Sequence, residues 1–166
     1  MTAGGALKSR LDRVVLEEDT PGNLSPFIEA DREQAVADLS AANHFAPLTG
    51  PRADGPYVLR LSIRDGRLMF DIRNRADAPL TAIILALGPF RRLVKDYQML
   101  VDSHIKAVQE GREARIQAID MGRRGLHNEG AELMVQRLAG KIEIDFDTAR
   151  RLFTLVCVLA QRVSAR

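Results

Sequence analysis

Two stretches of alternating apolar and polar residues flank Asp65-Gly66 and predict a β-hairpin. The stretches cover residues 57–64 and 67–73, and Asp-Gly between such stretches is typical of a two-residue type I′ turn. If Arg64 pairs with Arg67 across that turn, the apolar side chains of both strands share one face, and Arg60 lies opposite Asp71. The apolar pairs are then Ile63 with Leu68, Leu61 with Phe70, and Leu59 with Ile72.

Three other short segments also predict strands. Residues 10–17 contain β-branched side chains in weak alternation and suit the edge of a sheet. Residues 80–87 are almost wholly apolar, which is typical of a strand covered on both faces, and we expect them to complete a meander with the hairpin. Residues 141–144 predict a further short strand.

Helices are predicted from apolar residues at helical spacing. Ser25 suits an N-cap before Pro26, and the helix that follows runs to about residue 43. Gly88-Pro89 opens a long helix with a continuous apolar stripe, and Gly111 ends it.

The helical pattern continues through the C-terminal third of the chain. One stretch ends at Gly140, and we expect Gly122 and Gly125 to interrupt it. Asp145 or Asp147 is expected to cap a last helix that runs to about residue 162. Because this helix is apolar on most sides, we expect it at the centre of the molecule.

These elements predict an α+β fold with a small antiparallel sheet, a meander with its hairpin at Asp65-Gly66, packed by several C-terminal helices. A length of 166 residues suits one domain, and no internal repeat is present. We therefore expect a single domain over residues 1–166, with residues 1–8 disordered.

Cysteine usage and hydropathy indicate a cytoplasmic protein with no membrane partner. The one cysteine, Cys157, excludes an internal disulfide and fits a reducing compartment. Residues 1–8 lack the apolar stretch of a signal peptide. The longest apolar run, residues 152–160, is about half of the ~20 residues that span a membrane.

The charge balance and motif content argue against several function classes. With 24 basic and 22 acidic side chains, the net charge of +2 does not imply a general nucleic-acid coat. The sequence lacks a phosphate-binding loop, a dinucleotide glycine fingerprint and a nucleophile elbow. Its three histidines and one cysteine are widely separated and form no zinc pattern. No cofactor and no metal are expected.

The segment 120–130, DMGRRGLHNEG, combines three glycines with several charged side chains. Glycine permits close approach or positive φ angles, and Asn128 is expected to cap a following helix whose N-terminal amides favour an anion. Arg123, Arg124 and His127 supply the charge complement. The segment therefore predicts an anion-binding site.

Two other interpretations of this segment stay open. In the first, His127 transfers protons, Asp120 or Glu129 orients it, and the arginines stabilise developing negative charge. In the second, the segment is a tight turn between two helices, and pairs of arginine with carboxylate lock its neighbours.

Two further arginine pairs lie near helix starts. Arg91 and Arg92 occupy the first turn after Gly88-Pro89, where each cation opposes the helix dipole by about 0.3–1 kcal/mol. Either an ion pair or a bound phosphate or carboxylate offsets that cost. The candidate ion-pair partners are Asp96, Asp120, Glu129, Asp145 and Asp147. Arg150 and Arg151 are interpreted as structural.

Several long motifs resemble a known family. They are RLMFDIR, PFRRLVKDY, DMGRRGLHNEG, GKI and DFDTARRLFTLVCVL. Through them the chain closely resembles uncharacterised protein family 0262, an alphaproteobacterial group, over nearly its whole length. The resemblance implies a bacterial cytoplasmic protein, and it carries over no activity, cofactor or catalytic residue.

Three functions are compatible with these observations. The leading hypothesis is a binding or regulatory module that recognises an anionic ligand, such as a nucleotide or an RNA phosphate. Its ligand-binding residues are Arg91, Arg92, Arg123, Arg124, His127 and Asn128. The alternatives are a cofactor-independent enzyme with His127 as acid and base, and an adaptor that uses an apolar surface for a protein partner or self-association.

Overall fold

The computed structural model describes residues 8–17 and 25–164, and within them the chain forms six strands and four long helices. The strands are β1 (Leu11–Leu16), β2 (Phe45–Pro47), β3 (Tyr57–Arg64), β4 (Arg67–Arg73), β5 (Pro79–Ala86) and β6 (Ile142–Ile144). The helices are α1 (Pro26–Ala41), α2 (Arg91–Gln109), α3 (Glu113–Leu138) and α4 (Phe146–Ser164). The disorder predicted for residues 1–8 falls outside the described residues, except at Lys8.

The hairpin of β3 and β4 has the predicted register. Arg64 pairs with Arg67, Arg60 lies opposite Asp71, and the three predicted apolar pairs all face one side. Asp65 and Gly66 have φ angles of 54° and 71°, as a type I′ turn requires. The Arg60 guanidinium bonds Asp77 and Glu17, whereas the carboxylate of Asp71 accepts from Arg73.

The main sheet has the strand order β1-β3-β4-β5 and is mixed. The predicted meander of β3, β4 and β5 is antiparallel, and β1 is an edge strand, as predicted. However, β1 runs parallel to β3, so the prediction of a wholly antiparallel sheet is wrong for β1. A parallel pair needs a crossover connection, and α1 lies in that connection. The α+β class is confirmed.

The prediction that the strand at residues 80–87 is covered on both faces is wrong. Ile83 and Leu85 face the core, but Ala82, Ile84 and Ala86 are exposed. β5 is the other edge of the sheet, and its outward face is open to solvent.

α3 is one continuous helix of 26 residues, so the predicted interruption at Gly122 and Gly125 is wrong. For the same reason Asn128 caps no helix, and the segment 120–130 is not a tight turn between two helices. Each glycine lowers helix stability by about 1 kcal/mol relative to alanine, and packing of α3 against α2 and α4 outweighs that loss.

Several predicted helix ends are confirmed. The Ser25 side chain accepts from the Ile28 amide at the start of α1, and Asp145 Oδ1 accepts from the Thr148 amide at the start of α4. Gly140 has a φ of 78° just beyond α3.

α4 lies at the centre of the molecule, as predicted. Its residues from Ala149 to Gln161 are almost all buried, and it packs against α1, α2, α3 and β3. Across the described residues, none of the helices has both the length and the apolar character that crossing a bilayer requires.

A second, two-stranded sheet joins β2 to β6. The strand predicted at residues 141–144 is confirmed as β6, and it pairs antiparallel with β2. β2 was not predicted, because the sequence indicated only the end of a helix at about residue 43. This short ribbon ties the start of α4 to the end of α1.

Candidate functional site

A cavity of about 200 Å³ opens between α1, α3 and α4. Each helix contributes polar side chains to it, and arginine is the most frequent residue type. We call it the arginine cavity, and its lining consists of Asp31, Gln34, Ala35, Asp38, Arg123, Arg124, His127, Arg150, Arg151 and Thr154.

Helical periodicity explains how the three helices supply this lining. Arg123, Arg124 and His127 on α3 have the spacing i, i+1, i+4, and so do Arg150, Arg151 and Thr154 on α4. Residues at i and i+4 lie on one face of a helix. Packing of α3 against α4 therefore brings two arginine pairs together that lie far apart in the sequence.

Arg123 is held at the cavity by Asp31 of α1. Arg123 Nη1 donates to Asp31 Oδ1 at 2.6 Å, and the Tyr97 hydroxyl donates to Asp31 Oδ2 at 2.7 Å. Asp31 is only 8% exposed, so these bonds compensate for its burial. Burial, followed by the charge of Asp31, raises the pKa of Tyr97. Arg123 also lies 5.4 Å from the ring centroid of Phe27.

Arg151 is held by the second carboxylate in the lining. Its Nε donates to Asp38 Oδ2 at 3.0 Å, while the Gln34 amide donates to Asp38 Oδ1 at 2.9 Å. Asp31 and Asp38 thus each neutralise one arginine of the cavity.

Arg124 and Arg150 remain as the uncompensated cations. Within residues 8–17 and 25–164, neither guanidinium has a carboxylate within 4.0 Å. Arg150 Nε is shielded from solvent and has no hydrogen-bond partner among the described residues. The lining therefore holds four arginines against two carboxylates, with two positive charges in excess.

His127 lines the same cavity and is held between aromatic rings. Its ring centroid lies 6.2 Å from that of Tyr97 and 6.1 Å from that of Phe153. Its Nε2 is shielded from solvent and is unbonded in the described part of the chain. Burial, followed by the charges of Arg123, Arg150 and Arg151, lowers the pKa of His127 to about 4. The imidazole is therefore neutral at pH 7.

The structure separates the predicted ligand-binding residues into two groups. Arg123, Arg124 and His127 line the arginine cavity, while Arg91, Arg92 and Asn128 lie outside it. Arg91 Nη2 lies near Gly66 at the hairpin turn, and Asn128 is exposed in the middle of α3.

Arg92 and the two carboxylates that were proposed to orient His127, Asp120 and Glu129, all take part in ion pairs. Arg92 Nη1 bonds Asp96 Oδ2 at 3.1 Å, and its Nη2 bonds Glu129. These ion pairs offset the dipole cost at the start of α2, as one of the two interpretations predicted. Asp120 Oδ1 lies 3.6 Å from Arg123 Nη2. Arginine thus engages both carboxylates proposed to orient His127, Asp120 and Glu129.

Seven lining residues were not predicted as part of a site, and five of them, on α1 and α4, are charged or carry an amide. Asp31, Gln34 and Asp38 stand at i, i+3 and i+7, which forms a polar stripe on one face of α1 and was a readable signal. Arg150 and Arg151 were interpreted as structural, although their pairing matches that of Arg123 and Arg124. Only the packing of α4 against α1 and α3 places them at the cavity.

No metal cluster is found among the residues that the structure describes. Nowhere in that part of the chain do three or more His, Cys, Asp or Glu side chains come together as a possible ligand set. The donor groups of the arginine cavity are instead guanidinium groups, which bind anions.

The fold and the site define an α+β protein with a mixed four-stranded sheet and an arginine-lined cavity between three helices. The chain belongs to the Uncharacterised protein family (UPF0262), whose pattern it matches over residues 8–162. The resemblance predicted from the motifs is confirmed.

Bacterial relatives are similar over nearly their whole length. The chain is 66% identical to a UPF0262 protein of Granulibacter bethesdensis, over 95% of this chain and 93% of that protein. It is 62% identical to a UPF0262 protein of Acidiphilium cryptum, over 98% and 99%. It is 52% identical to a UPF0262 protein of Rhizobium leguminosarum, over 92% and 96%. No solved structure matches the chain.

Proposed function

We propose that this protein is a binding module that recognises a compact anion, a phosphate or a carboxylate, in the arginine cavity. The observation that carries the proposal is the excess of two arginines, Arg124 and Arg150, over the carboxylates of the lining. A guanidinium group presents a planar fork of donors that matches phosphate and carboxylate oxygens.

Two shielded polar atoms without hydrogen-bond partners give the proposal an energetic basis. A buried polar group without a hydrogen-bond partner costs about 1–3 kcal/mol. Arg150 Nε is such a group, and His127 Nε2 is a second one in the lining of the same cavity. An anion in the cavity accepts from Arg150, and a protonated oxygen of the same anion can donate to His127.

The size of the cavity favours a small ligand. Pockets for drug-sized molecules have volumes of about 300–1,000 Å³, whereas the arginine cavity has about 200 Å³. This volume suits one phosphate or carboxylate group and the atoms next to it. A nucleotide or an RNA phosphate is accommodated only if the sugar and base stay outside.

The protonation state of His127 favours binding over acid–base catalysis. A general acid or base works best with a pKa near the operating pH, and the pKa of His127 is about 4. The carboxylates of Asp120 and Glu129, which were proposed to orient His127, form ion pairs with Arg123 and Arg92 instead. We therefore assign His127 to hydrogen bonding with the ligand.

A cytoplasmic location is part of the same proposal. It is supported by the presence of one cysteine, Cys157, which is buried in α4 and forms no disulfide.

Thermal unfolding of the full chain tests the anion site. The ligands are inorganic phosphate, sulfate, succinate, adenosine monophosphate and a short RNA. A ligand at about 100 times its dissociation constant stabilises the native state by about 2.7 kcal/mol, which raises the Tm by about 5–10 °C. We expect such a shift with compact phosphates or carboxylates, and no larger shift with the RNA.

Matched variants test whether the shift in Tm arises from binding in the arginine cavity. Arg124→Ala and Arg150→Ala are expected to abolish the shift. Arg115→Ala removes the same charge from an exposed position on α3 outside the cavity and is expected to keep it. If no anion shifts the Tm, or if all three variants respond like the wild type, the proposal is wrong and the adaptor hypothesis gains support.

A further inference from the structure

β5 presents an open sheet edge. In the described part of the chain, β5 pairs with β4 on one side, and no strand pairs with it on the other. The backbone N–H and C=O groups on that side form a row that can accept another strand. Gly50 lies close to the Thr81 side chain, so the open part of the edge runs from Ala82 to Ala86.

Pro79 and a register shift against β4 lie at the start of β5, but the stretch from Ala82 to Ala86 lacks the features that prevent strands from pairing. Proteins usually protect an edge with charged side chains or a bulge. The other edge strand, β1, has both, since it carries Asp12 and Arg13 and its register shifts between Leu11 and Arg13. By contrast, residues 78–90 contain no charged side chain. Ile84 is 51% exposed at the middle of this edge.

The order of side chains along the edge is symmetric. Residues 82–86 read Ala-Ile-Ile-Leu-Ala, so Ile84 is flanked on each side by a large aliphatic residue and then by alanine. In an antiparallel pair of two copies centred on Ile84, Ile84 faces its counterpart, Ile83 faces Leu85, and Ala82 faces Ala86. Such self-complementarity is what a two-fold interface requires.

We propose that β5 pairs antiparallel with β5 of a second copy of this chain, about a two-fold axis through Ile84. The two four-stranded sheets then form one continuous sheet of eight strands. On the outward face the two Ile84 side chains cover each other, and on the core face Ile83 and Leu85 extend the apolar layer across the interface. The absence of charge along the edge favours a second copy over a charged partner.

Sedimentation equilibrium of the full chain, from micromolar to millimolar concentration, tests the proposal. We expect a reversible monomer–dimer equilibrium. Ile84→Lys places two like charges opposite each other and is expected to give a monomer with unchanged circular dichroism. Met121→Lys adds the same charge on α3 at a side chain that is 73% exposed and is expected to stay dimeric. A wild type that is monomeric throughout, or an Ile84→Lys variant that still dimerises, overturns the proposal.

Oxidative crosslinking tests the register independently. Residues directly opposite each other have Cα atoms about 4.5–5.5 Å apart, which is within reach of a disulfide. Ile84→Cys is therefore expected to form a covalent dimer on mild oxidation. In the same register, residue 82 of one copy lies opposite residue 86 of the other. The two residues 82 are therefore four positions apart along the strands, or about 13 Å. Ala82→Cys is expected to remain uncrosslinked. Crosslinking of Ala82→Cys but not of Ile84→Cys overturns the pairing about Ile84.

Discussion

Arg123 Nη1 lies 2.6 Å from Asp31 Oδ1, and this bond joins the middle of α3 to the first half of α1. The same carboxylate accepts from the Tyr97 hydroxyl of α2, so one buried aspartate connects three helices. Because the bond also holds Arg123 at the cavity, it links the stability of the fold to the geometry of the site.

Removal of the Asp31 charge is expected to destabilise the protein. Asp31→Asn leaves the half-buried Arg123 with only the more distant carboxylate of Asp120, and we expect a loss of about 2–3 kcal/mol in the free energy of unfolding. Tyr97→Phe removes one hydrogen bond to a charged group and is expected to lose about 1.5 kcal/mol.

Urea denaturation of the single and double variants measures both losses and their coupling. Because Asp31 and Tyr97 share a bond, the double variant is expected to lose less than the sum of the single losses. Glu33→Gln changes an exposed carboxylate on the same helix and is expected to stay within about 0.5 kcal/mol of the wild type. Fully additive losses would contradict a shared network.

Gly130 is expected to tolerate no side chain, because α3 and α4 approach closely there. A Cβ atom at Gly130 would lie 2.4 Å from atoms of the Phe153 ring, and Phe153 is completely buried. Forcing extra volume into such a contact costs about 1–3 kcal/mol or more. We expect Gly130→Ala to lose at least about 2 kcal/mol despite the better helix propensity of alanine.

Gly125 provides the matched control on the same helix. A Cβ atom there meets nothing within 4 Å, so Gly125→Ala changes helix propensity alone. We expect it to stabilise the protein by about 0.5–1 kcal/mol. Chemical denaturation of the two variants side by side measures the difference, and equal effects would argue against the contact between Gly130 and Phe153.

His127 is expected to make stability depend on pH between about 4 and 6.5. Its pKa is about 4 in the native protein and about 6.5 in an unfolded chain. In that window the unfolded chain holds a proton that the native protein releases, so stability falls as the pH falls. Relative to His127→Gln, the free energy of unfolding of the wild type is expected to fall by up to about 3 kcal/mol from pH 6.5 to pH 4.

Denaturation curves of both proteins at a series of pH values provide the measurement. If the difference between them does not change with pH, His127 is not shielded as the structure indicates. Repeating the series in phosphate connects this prediction to the proposed site, because a bound anion favours the protonated imidazole. We expect the pH dependence to be smaller in phosphate than in chloride.

Local patterns predicted the sheet well and the third helix poorly. The register of β3 with β4 depends on two turn residues and on alternation, and both are readable from neighbouring positions. The continuity of α3 was missed because glycine is a poor helix former when judged locally. Packing of α3 against α2 and α4 keeps the helix continuous through Gly122 and Gly125.

The coverage of β5 was mispredicted for a similar reason. An apolar run is typical of a strand buried on both faces, but the residues of a strand do not determine its position within the sheet. Only the observed order places β5 at the edge, where Ile84 is exposed.

The sequence by itself determined the α+β class, the hairpin register, the N-cap at Ser25 and the family, because each depends on residues close together in the chain or on motifs. It also singled out Arg123, Arg124 and His127 as candidates. Tertiary structure alone decided that Arg150 and Arg151 join them while Arg91 and Arg92 lie elsewhere. The spacing within a helix fixes a face, but which faces meet depends on packing of α1, α3 and α4 across more than a hundred residues.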